Sequence, residues 1–202
     1  MTISEKFKLK TKHNYVYYIV PIKNINSIMN HGLLSFDKVE CLEHSSIAMS
    51  DVQMIRERVI VPPNSRLHSY ANMYFSYWNP MLCKRQSENE NICILAINAS
   101  IMDVHGCVFT DRNAATGLVK FYDPIDGLEN IDFDSVYAKY WATGDWYKDK
   151  DQKAKKCAEI LIPDYVPYEY ISKACVVSNE AKLKLLNQGF DKEIYVNSEC
   201  FF

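Results

Sequence analysis

Short apolar segments with two different periodicities follow one another along this chain, and this mixture constrains its fold more than any other feature. The segment 15–22 (Tyr-Val-Tyr-Tyr-Ile-Val-Pro-Ile) is rich in β-branched and aromatic residues and predicts a buried strand. Residues 25–29 carry apolar side chains at helical spacing, and Gly32 predicts the end of that helix. Strands and short helices continue to the C-terminus without a regular βαβ rhythm, which favours an α+β fold over a doubly wound sheet.

The remaining segments extend the same pattern. Further strands are predicted at 69–78 (followed by a turn at Asn79-Pro80), 92–97, 106–109, 118–122, 157–162 and 170–177. Helices are predicted at about 46–58, from Asp132 through Val136 and Tyr140, and at 179–188 before Gly189. Loops are predicted at 33–46, 87–91 and 143–156, the last of them mobile. With 202 residues, no internal repeat and no linker, we expect one domain over 1–202.

Charge and cysteine content limit the classes of function. A net charge of -2 excludes a uniformly basic surface, so any contact with nucleic acid must use a local patch. The seven cysteines form no CxxC pair and are odd in number, which argues against a zinc site or a disulfide framework. The first residues lead into no long apolar run, so we expect no secretory signal, and no run of roughly 20 apolar residues is present. We therefore expect a cytoplasmic protein that does not enter membranes.

Three charged residues stand out as candidate functional residues. Glu159 lies in Ala-Glu-Ile-Leu-Ile, where a strand would bury its neighbours, so it is either an outward-facing residue on a half-exposed strand or a functional carboxylate. Arg56 and Arg58 lie close together on a predicted helix, and two guanidinium groups suit a phosphate or pyrophosphate. Ordinary surface arginines would give the same pattern.

Several catalytic and nucleotide-binding motifs are missing from the chain. Neither a P-loop nor a GxGxxG sequence occurs, which argues against a Rossmann-type NAD site. The histidines show no HxxxH or HExxH spacing, so we expect no metal. No G-x-S-x-G sequence supports a hydrolytic triad.

Aromatic and basic clusters give two further candidates. The segment from Tyr70 to Trp78 is rich in aromatic residues, most of which core packing explains. Tyr77 and Trp78, beside the proline turn, are better placed to stack on a nucleobase or nicotinamide. The run Lys148 to Lys156 contains five lysines and forms either a solvated loop or a guide for a phosphate backbone.

Five stretches, in order and across nearly the whole chain, resemble the DarT family of DNA ADP-ribosyltransferases. They are Val16-Tyr-Tyr-Ile-Val-Pro-Ile22 with Gly32-Leu-Leu; Ile47-Ala48 leading to Arg56-Glu-Arg58; Tyr70-Ala-Asn-Met-Tyr-Phe75 with Asn79-Pro-Met-Leu82; Val108-Phe-Thr-Asp-Arg-Asn-Ala114; and Lys155-Lys-Cys-Ala-Glu-Ile-Leu-Ile162. Each motif is short, and the specificity comes from their order and spacing.

The resemblance implies an ADP-ribosyltransferase fold, with two small antiparallel sheets around an NAD cleft and peripheral helices. It implies that Glu159 and Arg56 are catalytic and that Tyr74 lines the nicotinamide pocket. The implied NAD contacts are Tyr18, Val20, Arg56, Tyr74 and Phe75. The implied DNA contacts are Arg58, Arg112, Asn113, Lys155 and Lys156. The segment 143–158 corresponds to a mobile substrate-recognition loop.

The activity implied by the resemblance is that of a toxin that moves ADP-ribose from NAD, without a metal, to a base of single-stranded DNA. It also implies an antitoxin, either a macrodomain or another protein that removes the mark. Thymine-modifying members carry His-x-Thr where this chain has Tyr18-Ile19-Val20, and often His where it has Asn113. These departures leave the base open, with guanine ahead of thymine.

Two alternatives remain at this point. The first is an ADP-ribosyltransferase that shares the NAD site and acts on RNA or protein. The second is a non-enzymatic module that binds single-stranded nucleic acid through the aromatic strand and the lysine run, without consuming NAD.

Overall fold

The structure, a computed structural model, describes residues 1–39, 42, 44 and 49–202, with Ser50 described by its backbone only. The strands are β1 (Tyr15–Pro21), β2 (Leu33–Leu34), β3 (Ile60–Val61), β4 (Ser65–Arg66), β5 (Tyr70–Tyr74), β6 (Ile92–Asn98), β7 (Val108–Thr110), β8 (Phe121–Tyr122), β9 (Glu159–Pro163), β10 (Tyr165–Val166), β11 (Ile171–Val176) and β12 (Glu193–Val196). The α-helices are α1 (Ile3–Thr11), α2 (Ile25–His31), α3 (Phe36–Val39), α4 (Ser50–Arg56), α5 (Pro80–Lys84), α6 (Pro124–Asn130), α7 (Phe133–Tyr137), α8 (Trp146–Lys156) and α9 (Asn179–Asn187).

A large sheet organises these elements, in the order β12-β11-β6-β1-β5-β9-β7-β8 among the described residues. Neighbouring strands are antiparallel except β11 and β12. β1 pairs with β6 along its whole length, whereas β1 and β5 share only the pair Tyr17–Tyr74. The predicted α+β fold is confirmed, and its two expected sheets are halves of one sheet joined at a single point.

This single junction opens a gap in the middle of the sheet. Beyond Tyr17 and Tyr74, the segments 18–21 of β1 and 70–73 of β5 run past each other without ladder pairing. Backbone groups in such a gap are free to meet a ligand instead of a neighbouring strand. The fold therefore places a cleft where the two halves of the sheet separate.

An aromatic cluster packs on one face of the sheet. The ring of Phe75 lies 5.9 Å from Phe7, 5.2 Å from Phe109 and 5.4 Å from Phe133 between centroids, distances typical of interacting aromatic pairs. Phe7 belongs to α1, which the sequence analysis did not predict because the segment is rich in lysine. Burial of Phe7 and a capping box between Thr2 and Glu5 account for this helix.

The predicted loop at 33–46 is wrong for residues 33–34 and 36–39. Leu33–Leu34 forms β2 and pairs with Tyr165–Val166 of β10, and Phe36–Val39 forms α3. Since the partner strand is distant in sequence, local periodicity carries no sign of it. Ile47 and Ala48, which contribute to the resemblance, lie outside the described residues.

The predicted loop at 143–156 is also wrong, because Trp146–Lys156 forms α8. The Asp145 side chain accepts hydrogen bonds from the backbone N–H groups of Tyr147 (3.0 Å) and Lys148 (3.2 Å), which caps the helix. Lys155 and Asp151, one helical turn apart, form an ion pair with 3.1 Å between Nζ and Oδ2. Capping and charge pairs support a helix here although apolar anchors are few.

Smaller differences concern boundaries. Asn79 does not form a simple turn but caps α5 by accepting from the N–H groups of Met81 (3.0 Å) and Leu82 (3.1 Å). α7 ends at Tyr137, before Tyr140, and the strand predicted at 118–122 is confined to 121–122. The polar segment 87–91 lies in a 3-10 helix. In the described part of the chain, no helix is long and apolar enough to cross a membrane.

Candidate active site

A buried ion pair joins two residues that are about a hundred positions apart in the sequence. Arg56 Nη1 donates to Glu159 Oε1 and Arg56 Nη2 to Glu159 Oε2, both at 2.9 Å. Arg56 is 6% exposed and Glu159 is 0% exposed. The backbone N–H of Ala114 donates a third hydrogen bond to Glu159 Oε1, at 3.0 Å. These three donors satisfy a carboxylate that burial alone would strongly disfavour.

The elements around Glu159 fix its position. It is the first residue of β9 and lies opposite Tyr74 of β5, next to the single β1–β5 pair. Its backbone N–H donates to Thr110 Oγ1 at 2.9 Å, and the Thr110 hydroxyl donates to the carbonyl of Arg112 at 2.7 Å. Arg56 reaches it from the last residue of α4. The carboxylate therefore lies at the gap between the two halves of the sheet.

The environment of Arg56 keeps its guanidinium charged. Burial acts to lower the pKa of Arg56, but the charge of Glu159 and its hydrogen bonds outweigh burial, and the net pKa is raised. The charge is thus compensated by a single carboxylate in a site shielded from solvent. This arrangement holds both side chains in fixed positions before any ligand binds.

A cavity of about 320 Å³ opens beside this pair, within the range typical of small-molecule and cofactor sites. Its walls include Tyr18 to Pro21 from β1 and Tyr70, Asn72 and Tyr74 from β5, the segments that bound the gap in the sheet. Among the described lining residues there is no Asp or Glu, whereas Arg56, Lys84 and Arg85 are present. Glu159 compensates the charge of Arg56, and Glu88 pairs with Arg85 at 2.8 Å. Lys84 and the N–H donors of the two guanidinium groups are therefore the features that suit an anionic group such as a pyrophosphate.

Three side chains of the cavity have raised pKa values. Burial raises the pKa of the Tyr18 hydroxyl, while Arg56 opposes the shift. Burial, followed by the charge of Glu159, raises the pKa of Tyr74 well above its usual value. Burial, again followed by Glu159, raises the pKa of the Cys157 thiol to about 12. At neutral pH the tyrosines are hydrogen-bond donors, and Cys157 is not a nucleophilic thiolate.

Comparison with known proteins identifies the family. The family model described as "ssDNA thymidine ADP-ribosyltransferase, DarT" matches residues 17–202. The chain belongs to the DarT family. A DNA ADP-ribosyl transferase of Thermus sp. (strain 2.9) is 30% identical over 187 residues, covering 86% of this chain and 87% of the relative. One from Thermus aquaticus is 28% identical over 173 residues, covering 80% and 74%.

Solved structures of the DarT family agree with this assignment. The Thermus sp. 2.9 DarT in complex with ADP-ribosylated ssDNA matches with a TM-score of 0.81 and 26% identity, covering 95% of this chain and 97% of that one. The same protein in complex with NAD+ matches with a TM-score of 0.75 and 26% identity, covering 94% and 98%. The mixed fold with an open gap in its sheet is therefore the DarT fold.

The structure brings together most of the residues that the DarT resemblance assigns to NAD. Tyr18, Val20, Arg56 and Tyr74 all line the cavity. Asn113, which the resemblance assigns to DNA, lines it as well. Glu159 lies behind them and contacts Arg56. The departures from the family motif, at Tyr18, Val20 and Asn113, are thus part of the cavity wall.

Three predicted aromatic contacts lie elsewhere. Phe75 is 0% exposed and belongs to the aromatic core, so we assign it to packing and remove it from the NAD site. Trp78 stacks on Phe202 at 4.0 Å, and its Nε1 donates to the carbonyl of Lys139. Tyr77 packs against the ring of Tyr17. Neither Tyr77 nor Trp78 is among the described residues that line the main cavity.

Apart from Asn113, which lines the cavity, the predicted DNA contacts separate into three groups. Lys156 is 0% exposed and donates to the carbonyls of Val136 (2.9 Å) and Ala138 (2.5 Å), so its assignment to DNA is corrected to a structural one. Arg112 donates to Asp151 at 2.8 Å, and Lys155 pairs with Asp151 and Asp132. Arg112 and Lys155 therefore hold α8 against its neighbours.

The last group is exposed, and it consists of Arg58 together with three lysines of α8, Lys148, Lys150 and Lys153. Exposed cations of this kind remain available to a phosphate backbone.

Sequence reasoning missed other residues of the site. Thr110 and the Ala114 N–H hold Glu159, and His68 and Cys157 line the cavity. The motif Val108–Ala114 marked their segment without indicating the contacts. In residues 1–39, 42, 44 and 49–202, no cluster of three or more His, Cys, Asp or Glu side chains could hold a metal ion.

Proposed function

We propose that this chain transfers ADP-ribose from NAD to a base of single-stranded DNA. The observation that carries the proposal is the bidentate contact of Arg56 with Glu159 beside the cavity at the gap in the sheet. Support also comes from the two Thermus sp. 2.9 structures, one with NAD+ and one with ADP-ribosylated ssDNA. The NAD site proposed here comprises Tyr18, Val20, Arg56 and Tyr74, with Asn113 at the side towards DNA.

The proposed reaction breaks the bond between nicotinamide and ribose and forms a bond between the same ribose carbon and a base nitrogen. The electron pair of the broken bond leaves with nicotinamide, and the positive charge that develops on the ribose needs a nearby carboxylate. Glu159 supplies that carboxylate. In this proposal Glu159 also accepts the proton that the base nitrogen loses when the new bond forms.

The other residues orient the dinucleotide. Arg56 holds Glu159 in place and offers its remaining donors to NAD. Tyr74 pairs with Glu159 on the neighbouring strand, and its raised pKa keeps the hydroxyl protonated. In this proposal Tyr74 lines the nicotinamide side of the NAD site. Correct placement of the ribose carbon and the base nitrogen supplies much of the rate acceleration.

DNA reaches the cavity across α8 in this proposal. Trp146 and Tyr147 are 65% and 78% exposed at the start of the helix, and exposed aromatic rings stack on unpaired bases. Lys148, Lys150 and Lys153 lie along the same helix and suit the phosphate backbone. A single strand fits this surface because its bases need no extraction from a duplex.

The modified base is the finer part of the proposal. We expect guanine, because Tyr18, Val20 and Asn113 replace residues that the thymine-modifying members carry. The description of the matching family model names thymidine instead, so the test below compares the two bases. We also propose that the chain acts as a toxin whose mark is removed by an antitoxin. A Thermosipho africanus relative, 29% identical, is described as a DNA ADP-ribosyl transferase-DNA ADP-ribosyl glycohydrolase fusion protein, which supports this pairing.

The test uses purified protein, NAD and two sets of single-stranded oligonucleotides, one with guanine and no thymine and one with thymine and no guanine. Nicotinamide release and a mass gain on the oligonucleotide are measured together. The Glu159→Gln variant keeps the size of the side chain, and we expect its rate to fall by roughly 10²–10⁴-fold.

Each alternative gives a different result in this test. Modification of RNA or protein in place of DNA would identify a different acceptor with the same NAD site. Binding of DNA without any nicotinamide release would show a non-enzymatic module and refute the proposal. Modification at an unchanged rate by Glu159→Gln would remove this residue from the mechanism.

A further inference from the structure

His68 is a buried polar residue to which the proposed mechanism gives no role. It lies in the wall of the main cavity and is 4% exposed. Its Nε2 atom is shielded from solvent and makes no hydrogen bond with any part of the chain that the structure describes. Buried ring nitrogens without a partner are rare in folded proteins, and they occur where a ligand or a water supplies the partner.

The surroundings of His68 hold its ring in place. The residue belongs to the 3-10 helix Leu67–Ser69, immediately before β5. Its ring stacks on Phe36, with centroids 4.2 Å apart and planes inclined by 27°. Phe36 also lines the cavity. Stacking therefore holds the imidazole in the wall of the cavity, beside the space that a ligand would fill.

The charges around His68 favour the neutral ring. Burial lowers the pKa of His68, and Arg56 and Arg66 lower it further, while Asp37 and Glu57 act in the opposite direction. A neutral imidazole offers one N–H donor and one acceptor nitrogen. It can therefore donate to an oxygen beside Arg56 without adding a second positive charge.

We propose that His68 is a positioning residue for NAD, whose Nε2 donates a hydrogen bond to an oxygen of the dinucleotide bound next to Arg56. The inference rests on the proposed function, since it requires NAD in this cavity. In this proposal an oxygen of NAD is the hydrogen-bond partner that Nε2 does not find within the described part of the chain. The chemical step itself does not involve His68.

Two variants separate the hydrogen bond from packing. His68→Phe keeps an aromatic ring against Phe36 and removes both nitrogens, whereas His68→Gln places an amide nitrogen near the position of Nε2. We expect His68→Phe to raise the KM for NAD by about 10-fold, the typical value of one lost hydrogen bond. The value of kcat should change by less than about 2-fold, because the lost contact serves binding. His68→Gln should recover most of the affinity.

The direct readout is the ¹⁵N resonance of the His68 imidazole, recorded while a non-cleavable NAD analogue is added. The resonance is assigned by its absence from the spectrum of His68→Phe, and we expect the Nε2 signal to shift on binding in the wild-type protein. A role in packing alone would leave the signal in place and would lower the melting temperature of His68→Gln without changing its KM for NAD.

The outcomes separate this inference from the proposed function. If the wild-type protein releases nicotinamide while His68→Phe binds NAD equally well and Nε2 does not shift, only the role of His68 is refuted. If the wild-type protein binds neither NAD nor the analogue, the proposed function fails and this inference fails with it.

Discussion

Arg56 and Lys156 are both buried cations, and the protein treats them in opposite ways. Arg56 faces the carboxylate of Glu159, which raises its pKa against the effect of burial. Lys156 donates to the carbonyl oxygens of Val136 and Ala138 and lies over the ring of Trp141, with no carboxylate beside it among the described residues, and burial lowers its pKa to about 8. Both side chains are buried, so the difference in the direction of their pKa shifts comes from the partner of each cation.

The difference also shows what each cation is for. A buried ion pair is seldom the most stable choice for a protein interior, because desolvation of both charges offsets their attraction. Its location at the cavity wall instead suits a ligand whose charge develops during a reaction. Lys156 lies three residues before Glu159, and its hydrogen bonds to the carbonyls of Val136 and Ala138 hold the end of α8 against α7. Its role is therefore structural. Predictions that separate the two cations follow from these roles.

The largest effect is expected when the Arg56–Glu159 pair is broken on one side. Glu159→Leu leaves the guanidinium buried without its carboxylate, and we expect the free energy of unfolding to fall by about 3–5 kcal/mol. Urea unfolding at pH 7 measures the change. A loss below about 1 kcal/mol would mean that solvent reaches Arg56 and that the pair is not truly buried.

The double variant Arg56→Met/Glu159→Leu is the matched control for this prediction. It removes both charges at nearly constant volume, so we expect it to be more stable than Glu159→Leu. Recovery should be incomplete, because the Ala114 N–H still lacks its acceptor. A double variant less stable than either single variant would show that packing, and not charge, dominates at this position.

The sequence predicted the functional role of Arg56 and Glu159 but not the structural role of Lys156. Glu159 stood out because a carboxylate interrupts an apolar strand, and Arg56 stood out through its place in an ordered set of motifs. Lys156 was predicted to contact DNA, since a lysine in a charged run looks exposed whatever its true position. Its burial depends on carbonyl groups of α7, which are far away in sequence and carry no pattern of their own.

The fold shows the same limit. Strands rich in apolar residues, such as β1 and β6, were predicted from composition because each is buried on both sides. The sequence carried no sign that β1 and β5 share one pair only, and this feature forms the cavity. α8 was missed for a related reason: its stability comes from Asp145 and from charge pairs, which periodicity of apolar residues does not register.

An intermediate effect is expected in the pH dependence of stability. The folded-state pKa of Lys156 is about 8, below the ordinary value of 10.5. Between these two values the unfolded chain holds a proton that the folded chain has released, so this group makes stability rise with pH. The free energy of unfolding of the wild type relative to Lys156→Met should therefore increase from pH 8 towards pH 10.5, by at most about 1.4 kcal/mol per pH unit.

Lys155→Met is the control for this measurement, since Lys155 is adjacent in sequence but paired with Asp151 and Asp132, and its pKa is raised. A folded-state pKa above the ordinary value gives no gain in this window. Urea unfolding at several pH values compares the three proteins. A flat or falling difference between wild type and Lys156→Met would show that the Lys156 charge is solvated in the folded state.

The smallest effect is expected at the half-exposed pair of Arg112 and Asp151, which resembles the Arg56–Glu159 pair in distance but not in burial. Arg112 Nη1 lies 2.8 Å from Asp151 Oδ1, with side-chain exposures of 14% and 46%. Asp151→Asn weakens this pair and also the ion pair of Asp151 with Lys155. Because solvent screens both, the free energy of unfolding should fall by about 1 kcal/mol or less. The loss should shrink further in high salt, whereas the cost of Glu159→Leu should change little with salt. A loss as large as that of Glu159→Leu, unaffected by salt, would mean that contact distance and not burial sets the strength of these pairs, and the distinction between the two regions would fail.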